Sequence, residues 1–271
     1  MRRLLVFFLC MVFLYGGLLL RLGHLKLVRG PVFAYAAFKQ QVILLPLEEY
    51  PRGSVCDRYG VSLTGEHWEE RIAIFPVLIR DKEKLATDLG AILGVAPETI
   101  AARIGEEPVC LSYRLTAGQA AAIRKAGFSG VAVVPYRERY GPRPLATHVV
   151  GHLGRILSVR EYRKLIRSGK FYAFDDYVGR KGCEYYYEYF LKGTVPCAAA
   201  GVYRDARGKV LKGFGIRVQK FVDPGRADLV LTIDRRAQQV LETVLDARVS
   251  RGAAVVLAAG QGDILAVARS P

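Results

Sequence analysis

The chain has 271 residues, 51% hydrophobic and 24% charged. This length allows one large domain or two ordinary ones, and this balance excludes a disordered polymer. Lys and Arg total 40 against 25 Asp and Glu, a formal charge of +15. Such an excess points to a polyanionic neighbour: nucleic acid, anionic lipid or an acidic wall polymer. A GC-rich coding sequence gives the same Arg-rich composition, so charge alone does not choose among them. The chain contains no asparagine, and chemistry that requires an Asn side chain cannot run on these residues.

Leu4–Leu20 carries no charged residue, with Arg2 and Arg3 before it and Arg21 after it. As a helix it spans about 25 Å at about 1.5 Å per residue, enough for a membrane anchor with a snorkelling Arg21. A cleavable signal needs small residues soon after the apolar run, and Ala34-Tyr35-Ala36 lies too far on. The expectation is an uncleaved, single-pass anchor. A single N-terminal span ahead of a large soluble part is expected to leave its N-terminus cytoplasmic and that part outside the cytoplasm, which makes nucleic acid an unsuitable partner; Arg2 and Arg3 on one side and Arg21, Lys26 and Arg29 on the other do not set the orientation by charge. The five Cys show no CxxC pair, so free buried thiols are expected rather than a disulfide framework.

Gly30-Pro31 opens a short helix through Phe38, and Val42–Leu47 reads as a strand. Pro51-Arg52-Gly53 and Arg58-Tyr59-Gly60 are turns, so residues 54–63 read as a hairpin of two short strands. Arg71–Phe75 is a further strand. Helices follow at Asp81–Leu93, Pro97–Ile104 and Ala117–Ala126, the last capped by Thr116. Val131–Val134 is a strand, and Ser158 caps a helix over Val159–Arg167. Cys183–Leu191 reads as one helix.

Asp205–Gly208 is a turn between Val202–Arg204 and Lys209–Leu211, and Asp223-Pro224-Gly225 reads as a linker. Beyond it come a strand at Asp228–Ile233 and an amphipathic helix at Arg235–Arg248. Two strands at Ala253–Leu257 and Ile264–Ala268 complete the pattern. The order implies an α+β protein.

Candidate sites are few. His148 and His152 have zinc-compatible spacing, but Gly151 lies between them and no third ligand is evident. Glu48 and Glu49 point apart on a strand and do not suggest a glycosidase pair. Glu66, Glu69 and Glu70 read as a solvated loop face. Tyr185, Tyr186, Tyr187 and Tyr189 could stack on sugars or meet a membrane; at helical spacing, part of the run is expected to be core. No Ser has a Lys three residues later, and no Lys-Thr-Gly or Ser-x-Asn occurs. The machinery of a Ser-Lys acyltransferase is therefore missing from these residues. No catalytic residue, metal or cofactor is expected.

Several segments together resemble the N-terminal part of a class B penicillin-binding protein, with elongation-type members nearest. The junction Leu25-Lys26-Leu27-Val28-Arg29-Gly30 is similar to that family's anchor-to-pedestal passage. Pro51-Arg52-Gly53 with Asp57-Arg58-Tyr59-Gly60 resembles its first signature, in which Arg52, Asp57 and Arg58 are expected to form a charged cluster. Arg139-Tyr140 through His148, then Gly151 and Gly154, resembles the second signature. Gly179, Gly182, Glu184 and Leu191-Lys192-Gly193 resemble the third, with Cys183 at a usual Leu position. Asp228–Asp234, Gln238 and Glu242 resemble the start of a transpeptidase domain, although Ala258-Ala259 replaces the usual Asp-Pro.

The resemblance implies peptidoglycan D,D-transpeptidation through an acyl-serine for the family, and a non-catalytic pedestal for these residues. It implies an anchor and junction at 1–29, a pedestal or dimerisation domain at 30–222, and a truncated, β-lactamase-like transpeptidase start at 223–271, ending at Pro271. Arg52, Gly53, Asp57, Arg58, Gly60, Arg139, His148, Gly179, Gly182 and Glu184 are the expected structural or partner-contact residues. Expected partners are membrane lipid, a wall-synthesis glycosyltransferase, a second copy or the missing transpeptidase domain, and anionic wall polymers. The alternative is a split-enzyme subunit or a non-catalytic scaffold for that glycosyltransferase.

Overall fold

The computed structural model describes residues 2–27 and 29–270, so Val28 of the junction and Pro271 lie outside the described residues. From the N-terminus the elements are α1 (Arg2–Leu27), α2 (Gly30–Gln41), β1 (Val42–Pro46), β2 (Val55–Cys56), β3 (His67–Ile74), α3 (Lys82–Leu93), α4 (Pro97–Ala101), β4 (Val109–Leu111), α5 (Ala117–Ala126) and β5 (Val131–Glu138). The order continues with α6 (Thr147–Val150), β6 (Leu153–Arg155), α7 (Val159–Ile166), β7 (Tyr177–Gly179), α8 (Gly182–Tyr186) and α9 (Glu188–Leu191). It closes with β8 (Ala198–Tyr203), β9 (Ile216–Lys220), β10 (Leu229–Val230), α10 (Arg235–Arg248), β11 (Gly252–Leu257) and β12 (Ile264–Ser270).

Helix α1 buries no residue and is long and apolar enough to cross a membrane. Helix α2 begins with Pro31 in its first turn, where a missing N–H costs nothing. Its Tyr35 and Phe38 rings meet Phe221 at 5.2 and 5.4 Å, which seats the helix beside the antiparallel sheet β1-β8-β9.

Strand β3 organises two cores by simple alternation. Ile72 and Ile74 face Leu85, Leu89, Ile100 and Ile123 of α3, α4 and α5. Ala73 and the adjoining Phe75 face Leu45, Leu47, Ala198 and Val202 of the β1-β8-β9 sheet. Side chains one residue apart point to opposite faces, so the β4-β3-β5 sheet is covered by helices on one side and by a second sheet on the other. Each fully buried Leu or Ile contributes about 1.5–3 kcal/mol. Thr116 and Gln119 form a reciprocal capping box at the start of α5.

Several expected elements change length or partner. β5 runs on through Pro135 to Glu138, which is tolerated because it lies at the edge of its sheet. The 54–63 hairpin shrinks to one bridge, Cys56 to Ser62. Asp57 draws the turn tight by accepting from the Tyr59 and Val61 amides, and β2 instead pairs in parallel with β10. The expected strand at Asp228–Ile233 is correspondingly confined to Leu229–Val230.

The helix over Cys183–Leu191 breaks at Tyr187 into α8 and α9. This turns Glu184 and Leu191 inward, both fully buried. Tyr185, Tyr186, Tyr187 and Tyr189 are pushed outward, Tyr186 to 81% exposure, so the expected core role of the tyrosines does not hold. The Asp223-Pro224-Gly225 stretch is fastened rather than free. The buried Asp223 carboxylate accepts from the Thr194 and Val195 amides at 2.6 and 2.9 Å.

Candidate functional site: a buried ionic hub

Glu184 lies at the centre of the hub. Helix α8 carries it inward between the segments that hold Arg52 and Arg139. Arg52 Nε donates to Glu184 Oε2 at 3.1 Å, and its Nη2 lies 3.0 Å from the same oxygen and 2.8 Å from Glu188 Oε2. Arg139 Nε and Nη2 donate to Glu184 Oε1 at 2.8 and 2.6 Å. Arg139 Nη1 reaches the Gly53 carbonyl at 2.9 Å, and the Tyr140 hydroxyl donates to Glu184 Oε1 at 3.2 Å. Arg52, Arg139 and Glu184 are all at most 3% exposed.

Two guanidinium groups balance two carboxylates here, the arrangement that makes burial of charge tolerable. Burial opposes the Arg52 charge, but Glu188 and Glu184 outweigh it and raise its pKa. Burial and Glu184 push the Tyr140 hydroxyl up to about 12, so it stays a donor. Arg52 Nη1 has no hydrogen-bond partner among the described residues.

A second balanced group adjoins the first. Arg137 donates to Glu48 Oε2 at 3.1 Å and to Glu66 Oε2 at 2.8 Å, and Arg226 donates to Glu48 Oε1 at 3.0 Å. Arg137 Nη1 also reaches the Arg52 carbonyl at 3.3 Å. Arg137 on β5 and Arg139, the residue just past its end, are two residues apart and so point to the same side. That spacing was the available signal for Arg137; adjacent Glu48 and Glu49 gave none, and Arg226 and Glu188 carried no motif. Glu66 is half-buried and paired, not a solvated loop residue.

Close backbone approach explains the glycines. A Cβ on Gly53 would lie 1.9 Å from the Ala227 carbonyl oxygen, and one on Gly179 would lie 1.9 Å from that of Glu184. Gly182 has φ +61, and a Cβ there would meet the Val149 oxygen at 2.3 Å. The second and third motif segments therefore touch through main chain.

The remaining expected residues lie elsewhere. Asp57 is buried, and its Oδ2 accepts from the Arg235 amide at the start of α10 at 3.3 Å. Arg58 is exposed against the Tyr59 ring, and Gly60 occupies the turn with φ +81. Arg52, Asp57 and Arg58 thus do not form one charged cluster, because the tight Asp57 turn carries Arg58 out to solvent. His148 is exposed on α6, lining a pocket with Tyr140, His152, Lys181 and Arg269.

The C-terminal elements are bonded to the same framework. Glu242 Oε1 accepts from the Ala146 amide at 2.7 Å and from Gln238 Nε2 at 2.8 Å. The fully buried Gln238 amide exchanges two hydrogen bonds with the Val267 main chain, at 2.7 and 2.8 Å. Ser54 donates its amide to Asp228 Oδ1 at 2.7 Å.

This arrangement ties chain segments together and does not activate a nucleophile. Ser54 Oγ donates to Glu66 at 2.7 Å but also receives Arg137 Nη2 at 3.0 Å, which withdraws electron density from the hydroxyl. His67, Glu69 and Glu138 converge within 4.8 Å. Arg71 and Arg114 pair with both carboxylates there, so positive charge already fills the space a cation would need. All five cysteines are free thiols.

Residues 48–217 match the family profile of the penicillin-binding protein dimerisation domain. The chain belongs to that family. The three segments around Arg52, Arg139 and Glu184 fall inside the matched region, and the hub joins them. The chain is 31% identical over 283 residues to the peptidoglycan D,D-transpeptidase MrdA of Escherichia coli K12, covering 100% of this chain and 43% of that protein. It is 28% identical to MrdA of Haemophilus influenzae, covering 100% of this chain and 42% of that protein. It is 24% identical to stage V sporulation protein D of Bacillus subtilis, over 83% of this chain and 32% of that one.

The chain therefore spans less than half the length of these curated relatives. Among solved structures it superposes on penicillin-binding protein PBP2 of Helicobacter pylori with TM-score 0.51 and 20% identity, over 85% of this chain and 43% of that one. The complex of that PBP2 with MreC gives TM-score 0.53 and 19% identity, with the same shares covered. The structural likeness shows a common fold.

Proposed function

We propose that this chain is the membrane-anchored pedestal of a peptidoglycan-synthesising penicillin-binding protein of elongation type. Its work is mechanical: to hold a transpeptidase domain at a fixed position over the membrane. Residues 1–29 form the anchor and junction, 30–222 the pedestal, and 223–271 the first part of a β-lactamase-like transpeptidase domain. The N-terminus is cytoplasmic and the bulk faces the wall. No residue of this sequence supplies the acyl-serine chemistry, because no Ser-x-x-Lys, Ser-x-Asn or Lys-Thr-Gly is present.

The observation that carries this reading is the paired, buried hub of Arg52, Glu184 and Arg139, which fastens three motif segments far apart in sequence. Hydrogen bonds accepted by Asp57, Asp228 and Glu242 from backbone amides then extend the same framework into residues 223–271. The exposed apolar Val240, Val244 and Leu257 are surface that further domain structure would cover. The MrdA relatives, which are peptidoglycan D,D-transpeptidases, support the peptidoglycan assignment. The MreC complex of the Helicobacter pylori protein supports a wall-synthesis partner of that kind, and the apolar α1 supports contact with membrane lipid. Protease added to intact spheroplasts tests the topology. Digestion of the bulk with protection of an N-terminal tag is expected; protection of the bulk would overturn the reading.

A further inference from the structure

Among the described residues, Ala146 is the one residue other than glycine with a positive φ, at φ 50 and ψ 39. It is fully buried beside Leu63, Val150 and Ile233. A Cβ disfavours this left-handed conformation roughly tenfold in population. An alanine keeps it only where its surroundings hold it there. One such hold is plain. The Ala146 amide donates to Glu242 Oε1 at 2.7 Å, and Glu242 lies 96 residues later, on α10.

Ala146 also starts α6. Its carbonyl accepts from the Val149 and Val150 amides at 2.8 and 2.9 Å, so its backbone angles set where this short helix points. The other end of α6 is pinned, because a Cβ on Gly151 would lie 1.8 Å from the Lys181 carbonyl oxygen. Between these ends α6 presents His148 to a cavity of about 710 Å³. Tyr140 and Lys181 line the same cavity, and so does Arg269 of β12. Gln238 of α10 is bonded to Val267 of β12. A single helix, α10, thus holds both the strained start of α6 and the strand that shares its cavity.

We propose that Glu242 and Ala146 form a two-state latch that couples α10 to α6. Its functional meaning rests on the reading above, in which α10 belongs to the start of a catalytic domain. In the closed state the Glu242 carboxylate holds Ala146 left-handed and accepts from Gln238 at the same time. When α10 shifts away, the buried amide loses its acceptor, at the full cost of an unmade hydrogen bond. Ala146 then relaxes to a right-handed or extended conformation, and α6 turns with it. The coupling is reciprocal: whatever turns α6 at the exposed His148 also loosens α10. A glycine at this position would bear the same angles without penalty and without Glu242. The alanine is therefore what makes the joint switch.

The test is hydrogen–deuterium exchange of the full chain in phosphatidylcholine nanodiscs, read by mass spectrometry over residues 149–151. Glu242→Ala is expected to speed exchange there about tenfold, the factor by which the left-handed state is disfavoured. Glu242→Gln keeps an acceptor oxygen and is expected to fall between; it decides the matter if circular dichroism shows that Glu242→Ala does not fold. Val240→Ala, exposed on the same helix, is expected to change nothing at α6. The deciding step adds Ala146→Gly to each Glu242 variant. Glycine needs no latch, so most of the lost protection is expected to return. Exchange at α6 unchanged by both Glu242 variants would overturn the proposal. So would failure of Ala146→Gly to slow it again, the result expected if Glu242 merely packs α10 in place. Failure here with correct spheroplast topology leaves the pedestal reading standing; inverted topology removes that reading itself.

Discussion

Glu184 accepts hydrogen bonds from both Arg52, 132 residues earlier, and Arg139, 45 residues earlier. One fully buried carboxylate thus joins segments that local structure would leave independent. A buried ion pair gives little net stability against an apolar replacement, but removing one member strands the other charge.

Glu184→Ala is therefore expected to destabilise the chain by about 3–5 kcal/mol, because two guanidinium groups lose their shared partner. Arg52→Lys should also be costly, since an ammonium cannot reproduce the fork that contacts Glu184 and Glu188. Urea melts followed by tryptophan fluorescence and circular dichroism measure both effects. Arg58→Ala, at an exposed position outside the hub, should melt like the unaltered chain.

Main-chain proximity at two glycines gives a second prediction. Gly53→Ala and Gly179→Ala each place a methyl carbon against a carbonyl oxygen, at a cost of about 1–3 kcal/mol or more. Gly260→Ala has open space around it and should change little. Parallel thermal melts of the three variants make the comparison.

Acid should loosen the β4-β3-β5 sheet. Burial alone would raise the Glu69 pKa, but hydrogen bonds from Arg71 and Arg114 outweigh it and hold the carboxyl below its usual range. A depressed carboxyl stabilises the fold above its unfolded pKa, near 4.5. That contribution is lost as pH falls from there through the folded value. Stability measured from pH 6 downward should fall more steeply in the unaltered chain than in Glu69→Gln.

Three thiols should resist alkylation. Burial, with neighbouring carboxylates at Cys56 and Cys197, pushes Cys56, Cys110 and Cys197 up to about 11. The reactive thiolate is therefore scarce at neutral pH. Mass spectrometry after iodoacetamide treatment should show slow labelling of the folded chain and rapid labelling in urea.

Much of the fold was legible because it depends on local rules. The Thr116 and Ser158 caps and the period of α10 all act within a few residues. The positions of Arg52, Arg139 and Glu184 were legible through motif resemblance, but their mutual contact depends on long-range packing. Glu48 was weighed only against a glycosidase pair with Glu49, and Arg226 and Glu188 carried no signal. A lone charged residue carries no local sign that a partner more than a hundred residues away will bury it, as Arg226 does for Glu48. The tyrosines were misplaced because helical spacing assumes an unbroken helix, and the bend at Tyr187 reverses which side faces the core.

The central claim is that these residues form a pedestal and carry out no acyl transfer. Fluorescent penicillin incubated with the purified chain, followed by denaturing gel electrophoresis, tests it most directly. No covalently labelled band is expected. A labelled band that unlabelled penicillin competes away, and that maps to a serine of this chain, would contradict the account.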